Sequence, residues 1–299
     1  MGTSTNSDTS FAISPHDLAS LLGTPQAPRI LDVRRAAAID GSSQRVAAAV
    51  RCPPESVAQF AAAPPSGPVV TVCVYGHAVS QQAAAQLRAA GWDARYLAGG
   101  LAGGEDGVDA PQDIERWRSA GLPVIRKRPD LGVTGLPPSR WITRQRPKID
   151  RIACPWLIRR FIDPHAEFFY VPTDQVLAQA QTLGAVAFDL PGAPISHEGP
   201  LCSFDALLAA FGLQEIASLQ VLADVVRAAD TDQLSQSPQA AGLLAFSVGL
   251  SALHATDDTA MLQAALPLYD ALLAWARMQA GGLPASHSWK PEAMLGARA

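Results

Sequence analysis

The stretch VVTVCVYGHAVSQQAAAQLRAAGWDARYLAGG, beginning at Val69, constrains the fold of this chain more than any other segment. Its opening run of β-branched and apolar residues, Val69 to Val74, predicts a buried strand. The alanine-rich piece Ser80 to Ala90, stopped by Gly91, predicts a helix. Asp93 to Leu97 then predicts a second strand, followed by the glycine-rich turn Gly99 to Gly104. Upstream, Pro15 to Leu22 reads as a helix and Arg29 to Val33 (RILDV) as another buried strand, while Pro111 to Ala120 reads as a closing helix. Strands alternating with helices build a parallel sheet, because parallel neighbours need a crossover connection. The expectation is an α/β domain over residues 10–121, with helices on both faces of a parallel sheet and ligands beyond the carboxyl ends of its strands.

A chain of 299 residues is long for one core and suits two domains of ordinary size. Residues 122–139, rich in proline and glycine and without a clear period, read as the linker. A second domain is expected over 140–280, mainly α-helical with α+β character, and 281–299 as a tail. Within it, Ile149 to Ile162 reads as a helix despite Pro155, Glu167 to Val171 and Ala185 to Asp189 as strands, and Thr173 to Leu183 as a helix capped by Thr173. Apolar spacing of three and four predicts further helices over Phe204 to Phe211, Ile216 to Ala229, Ala240 to Leu253 and Thr259 to Met278.

Composition excludes several classes. The chain is 48% apolar and 17% charged, a globular profile rather than a disordered one. No window approaches the roughly 18 uninterrupted apolar residues of a membrane span, and the opening MGTSTNSDTS lacks the basic and apolar parts of a leader. Cys52, Cys73, Cys154 and Cys202 lie far apart without a CxxC pair, which fits reduced thiols. A cytoplasmic protein is expected. The net charge of −4 hides an asymmetry: ten of the 23 basic residues fall between Arg126 and Arg160, where the acids are Asp130 and Asp150. Such a window attracts anions or serves as a solvated basic linker.

Cys73 is placed directly after a strand and before a helix. There the N–H groups of Val74, Tyr75, Gly76, His77, Ala78 and Val79, together with the helix dipole, can stabilise a thiolate or an anion attached to the sulfur. His77 can act as a base, or lower the thiol's pKa as an imidazolium, or stand as a solvated loop residue. The LDVR strand end (Leu31 to Arg34), the C-x-x-G loop Cys73 to Gly76 and the Gly91 to Leu97 segment with Gly99 and Gly100 together resemble the rhodanese family. That resemblance implies Cys73 as a sulfur-accepting nucleophile and Asp32 as the carboxylate that orders nearby backbone and arginines, with Asp32 as a purely structural anchor the competing reading. The loop departs from many relatives in having Val74 where they carry arginine, and in being one residue longer. Thiosulfate is therefore an uncertain donor, and phosphatase chemistry, which needs an arginine fork, is disfavoured. Cys52 lies where a resolving thiol is conceivable.

The pieces RWITRQRPKIDRIACPWLIRRFIDPHAEFFYVP (from Arg140), FDLPGAPISHEGPLCSFDALL (from Phe188) and VVRAADTD (from Val225) resemble the C-terminal domain of the ChrB-type chromate-resistance family. The resemblance implies handling or sensing of chromate. Chromate is a tetrahedral dianion, and Arg144, Arg146, Lys148, Arg151, Arg159 and Arg160 supply the forks and charges such an ion needs, with Cys154 beside them as a candidate reductant or ligand. The alternative is a helix whose arginines make surface pairs. His197, Glu198, Cys202, Asp230 and Asp232 form a candidate mixed N/O/S site for a divalent metal, or serve as caps and loop hydrogen bonders. No cofactor is certain.

The leading expectation is rhodanese-type sulfur transfer through a Cys73 persulfide, coupled to chromate or oxyanion binding or detoxification. Its partners would be small anions, a sulfur donor and a chromate-like oxyanion, with no membrane; the oligomeric state stays open. The alternatives are a chromate-responsive regulator that binds DNA through residues 126–160, which the net acidic charge and the lack of a helix-turn-helix pattern disfavour, and a catalytically silent binding module.

Overall fold

The structure, a computed structural model, describes residues 9–102, 117, 122–136, 138–283, 286–288 and 290. The chain divides into two compact units, one ending at Val124 and the other starting at Ile125, with Gly23–Pro25 belonging to the second. The expected helix over 111–120 lies outside the described residues except for Trp117.

The first unit contains the strands β1 (Ala12–Ile13), β2 (Arg29–Asp32), β3 (Gln44–Val46), β4 (Val50–Arg51), β5 (Val69–Val72) and β6 (Ala94–Leu97). Five of them form a sheet in the order β1-β6-β5-β2-β4, parallel at every pairing. All four residues of β5 are buried, as expected of a central strand covered on both faces. The helices are α1 (Pro15–Leu21), α2 (Ala36–Asp40), α3 (Val57–Ala61) and α4 (Ala78–Ala89). Ser14 caps α1 by accepting the Asp17 N–H at 3.1 Å, with Pro15 at the first helical position, where a missing N–H costs nothing. The buried face of α4, with Ala83, Ala84 and Leu87, packs into a core with Leu31, Val33, Val57, Val69 and Trp92. Trp92 anchors that core by stacking on Phe60 at 5.0 Å and donating its indole N–H to the Ala61 carbonyl at 3.3 Å.

The second unit holds β7 (Val124–Arg126, which begins at the boundary), β8 (Arg140–Arg144), β9 (Glu167–Val171) and β10 (Val186–Ala187). The last three form a parallel sheet in the order β10-β8-β9. Its helices are α5 (Asp150–Leu157), α6 (Val176–Leu183), α7 (Ser203–Phe211), α8 (Ala217–Asp230), α9 (Ala240–Leu253) and α10 (Asp258–Ala280). The unit is largely helical around an aromatic core: Trp141 meets Phe188 and Phe211, and Trp156 meets Phe161 and Tyr269, at centroid distances of 6.0 to 6.4 Å.

Three local differences from the sequence reading have physical causes. The residues expected to be a linker carry β7 and a 3-10 turn, Pro129–Leu131. The segment read as one helix, Ile149 to Ile162, is an α-helix to Leu157 and a π-turn over Ile158–Ile162; Pro155 supplies no N–H to the carbonyl one turn back, and the ladder is disturbed. Thr173 starts a 3-10 turn without a side-chain cap, so α6 begins only at Val176. Among the described residues no helix is long and apolar enough to cross a membrane.

Candidate functional site

In the first unit the thiol loop is built by two glycine contacts. Cys73 follows β5, and the chain turns back through Gly76 with φ +73° before α4 begins at Ala78. A Cβ on Gly76 would lie 2.4 Å from the Gly100 nitrogen and 2.6 Å from the Leu97 oxygen, and a Cβ on Gly100 would lie 2.3 Å from the Gly76 nitrogen. The two backbones interlock because neither has a side chain. Further bonds hold the same seam: Leu101 N–H to the Cys73 carbonyl at 3.1 Å, and Ala102 N–H to the Val74 carbonyl at 2.8 Å.

Cys73 is 2% exposed; its sulfur accepts the Gly76 N–H at 3.3 Å and lies 3.1 Å from the Ser80 hydroxyl oxygen. The thiol donates to the Ser80 oxygen, whose own proton points to the His77 carbonyl at 3.4 Å; once the thiol is ionised, the Ser80 hydroxyl can turn to donate to the sulfur beside the Gly76 N–H. Ser80 is fully buried and its own carbonyl accepts the Thr71 hydroxyl at 2.8 Å, which ties the start of α4 to β5. Val74 and Gly76 are buried, Tyr75, His77 and Val79 half-buried and Ala78 exposed; His77 occupies the residue just before α4. At the end of β2, Asp32 accepts from Arg34 through its backbone N–H and a guanidinium fork, the closest contact being 2.6 Å. Arg51 donates to the Asp32 and Arg34 carbonyls at 3.0 and 2.6 Å. Asp32 thus orders the strand end and its arginine. Cys52 is buried, and loss of hydration pushes its thiol up in pKa.

In the second unit a histidine meets three aspartates drawn from separate elements. Asp150 is the first residue of α5, Asp230 the last of α8, and Asp189 follows β10 with φ +59°. His197 comes from the loop before α7. Its Nε2 lies 3.1 Å from Asp150 Oδ2, 3.3 Å from Asp189 Oδ1 and 3.3 Å from Asp230 Oδ2. The Ser203 N–H points to Asp150 at 3.3 Å and its hydroxyl to Asp189 at 3.0 Å. Arg144 and Arg151 close on Asp189 at 2.6 and 3.1 Å.

The charges respond to this crowding. The hydrogen bond to Asp150 raises His197 to about 9. Burial, followed by the neighbouring Asp150 charge, raises Asp230 to about 7 and also lifts Asp189. Burial opposes ionisation of Asp150 as well, but hydrogen bonds from its neighbours, His197 first, hold it below the ordinary carboxylate range. Asp150, His197 and Asp230 each offer one ligand atom, all within 4.8 Å of one another. A cavity of about 630 Å³ reaches this cluster, lined by Arg126, Arg128, Ile195, His197, Ala206 and Ala209 among others.

Of the residues singled out for a metal, the structure brings together His197 and Asp230. Glu198 is exposed and bridges Leu201 through its backbone. Cys202 turns its sulfur to Asp205 at 3.4 Å, and burial raises its thiol pKa. Asp232 is exposed at φ +57°. The basic residues are divided among partners: Arg144 and Arg151 to Asp189, and Arg160 to Asp270 through two bonds of 2.8 Å. Arg159 lies over the Phe168 ring at 5.1 Å. Arg146 and Lys148 are exposed, and Cys154 is fully buried with its thiol pushed well up by loss of hydration. Sequence reasoning missed Ser80, Asp150, Asp189 and Ser203 as site residues. The position of Asp189 beyond a strand's carboxyl end was the available signal for it.

A five-stranded parallel sheet with a cysteine loop at the carboxyl end of its central strand, closed by a glycine pair, defines the first unit as rhodanese-like, and residues 14–106 match the rhodanese-like domain family. Residues 141–276 match the family described as ChrB, C-terminal domain. The chain therefore carries a rhodanese-like domain followed by a ChrB C-terminal domain. It is 43% identical over 91 residues to Protein ChrB of Cupriavidus metallidurans, a match that covers 30% of this chain and spans 27% of that protein's length. Among solved structures, a rhodanese homologue from Thermus thermophilus is 33% identical, covering 30% of this chain and 95% of that one with a TM-score of 0.25. A rhodanese-like domain protein from Staphylococcus aureus is 22% identical, covering 34% of this chain and 98% of that one with a TM-score of 0.28.

Proposed function

We propose that this chain serves chromate resistance, its first unit carrying sulfur as a persulfide on Cys73 and its second handling the oxyanion. The observation that carries the first part is the Cys73 sulfur itself, which accepts the Gly76 N–H at 3.3 Å and donates as a thiol to the Ser80 hydroxyl oxygen at 3.1 Å, in a loop from Val74 to Val79 without lysine or arginine. Neutral donors suit a singly charged persulfide, whereas a dianion such as thiosulfate calls for guanidinium. In the transfer, the Cys73 thiolate attacks the outer sulfur of a low-molecular-weight persulfide. A new S–S bond forms, the donor's S–S bond breaks, and the donor leaves as a thiolate, with no net oxidation.

For the oxyanion, the cavity beside His197 is the favoured location, because Arg126, which donates to the Ala209 carbonyl at 3.3 Å, lines it, while Arg128, Arg144, Arg151 and Arg160 are engaged with carboxylates. Incubation with a persulfide donor should add one sulfur to the intact mass of the wild-type chain and none to Cys73→Ser, with thiosulfate slower. Absence of the adduct with every donor would overturn the sulfur-carrier reading. Equilibrium dialysis with chromate tests the second half, where Arg126→Ala should weaken retention.

A further inference from the structure

We propose that Asp150, His197 and Asp230 bind one first-row divalent cation in the second unit, with Asp189 held beside it by Arg144 and Arg151. The argument starts from a shortage of hydrogens. The single Nε2 of His197 can donate at most one hydrogen bond, yet three carboxylate oxygens lie within 3.3 Å of it. The Asp150 and Asp189 side chains are only 3% and 4% exposed; Ser203 donates to both and Arg144 and Arg151 compensate Asp189, but the imidazole's one proton is left to serve three buried or half-buried carboxylates that face one another, which is costly. A point cation has no such limit, because it attracts every oxygen around it at once.

The spacing fits an ion as well as it fits a proton. With metal to nitrogen and oxygen distances of about 2.1 Å, neighbouring ligands of a tetrahedral site stand about 3.4 Å apart. The separations of His197 from Asp150 and Asp230 are 3.1 and 3.3 Å. One imidazole and two carboxylates suit manganese, iron or zinc; the nitrogen disfavours magnesium and calcium. The surroundings also resemble a ligand-supporting shell: Ser203 donates to Asp150 and Asp189, and the Asp150 N–H donates to Asp230 at 3.3 Å, the kind of contacts that orient metal-binding side chains. His197 lines the cavity, which gives an ion a path of entry and leaves coordination positions for a small ligand.

This inference stands apart from the sulfur-carrier and oxyanion readings, and its test uses the metal alone. The full chain is stripped with a chelator and titrated with Mn²⁺, free ion being followed by electron paramagnetic resonance. One Mn²⁺ per chain is expected for wild type and for the carboxylate control Asp174→Asn. Affinity should fall at least about tenfold in His197→Asn and in Asp230→Asn. Wild type that binds no ion, or variants that bind as wild type does, would overturn the proposal. Should either variant fail to fold, the wild-type protein alone decides: substoichiometric Mn²⁺ must broaden the His197 imidazole resonances, and unchanged line widths count against the site.

Discussion

Gly76 and Gly67 separate two costs of a side chain on left-handed backbone. Both have positive φ, +73° and +105°, but a Cβ on Gly67 meets nothing within 4 Å while one on Gly76 meets three backbone atoms closer than 3 Å. Gly67→Ala should therefore lose only the conformational part, about 1 kcal/mol, and Gly76→Ala at least about 3 kcal/mol, because the Gly99 and Gly100 backbone cannot yield. The urea midpoint of the first unit's transition measures both. Equal losses would refute the interlock. The C-x-x-G and the paired glycines were legible in the sequence as separate signals, but that they exist for one another was not, since the contact joins Gly76 to Gly100, far apart along the chain.

Between elements, Asp270 on α10 clamps the segment that begins as α5. It accepts the Trp156 indole N–H and the Arg160 Nε at 2.8 Å each, and a second Arg160 nitrogen at 2.8 Å. The pair is mostly buried, at 23% and 11% exposure, and breaking one side leaves a guanidinium and an indole N–H without acceptors. Asp270→Ala should cost the second unit about 3 kcal/mol, read as a lower urea midpoint, whereas Asp224→Ala, whose carboxylate is exposed beside Arg227, should cost under about 1 kcal/mol. Apolar periodicity located these helices well: the reading of Ala240 to Leu253 agrees to the residue, and Phe204 to Phe211 within one. It failed at β8, RWITR, where Arg140 and Arg144 at the ends hide a buried centre of Trp141, Ile142 and Thr143. Thr143 sits there because its hydroxyl donates to the Phe188 carbonyl at 2.8 Å, a long-range bond that no local pattern reports.

On the scale of the whole chain, the basic window of residues 126–160 proved a set of charges spread among carboxylates, carbonyls and a ring, and the densest cluster of ionisable groups described above lies around His197. Asp150, Asp189, His197 and Asp230 lie as far as 80 residues apart, which is why spacing alone recovered only two of them. Their mutual dependence makes stability pH-sensitive in a defined direction. His197 is raised from an ordinary 6.5 to about 9 and Asp230 from 3.8 to about 7, so the folded chain binds more protons than the unfolded chain between those limits, and stability falls as pH rises. The His197 contribution is complete below pH 6.5 and is lost on passing through about 9; the Asp230 contribution is lost between 3.8 and about 7. Asp150, held low, acts oppositely and loses its contribution only in acid. Because the His197 side chain is 41% exposed, solvent screening reduces its share. In chelator-treated protein the second unit's Tm should drop by about 2–4 °C from about pH 6.5 to about pH 9, and His197→Gln should flatten that limb. A Tm that stays level over this range in the wild-type chain would mean that the imidazole is not held by the aspartates in solution.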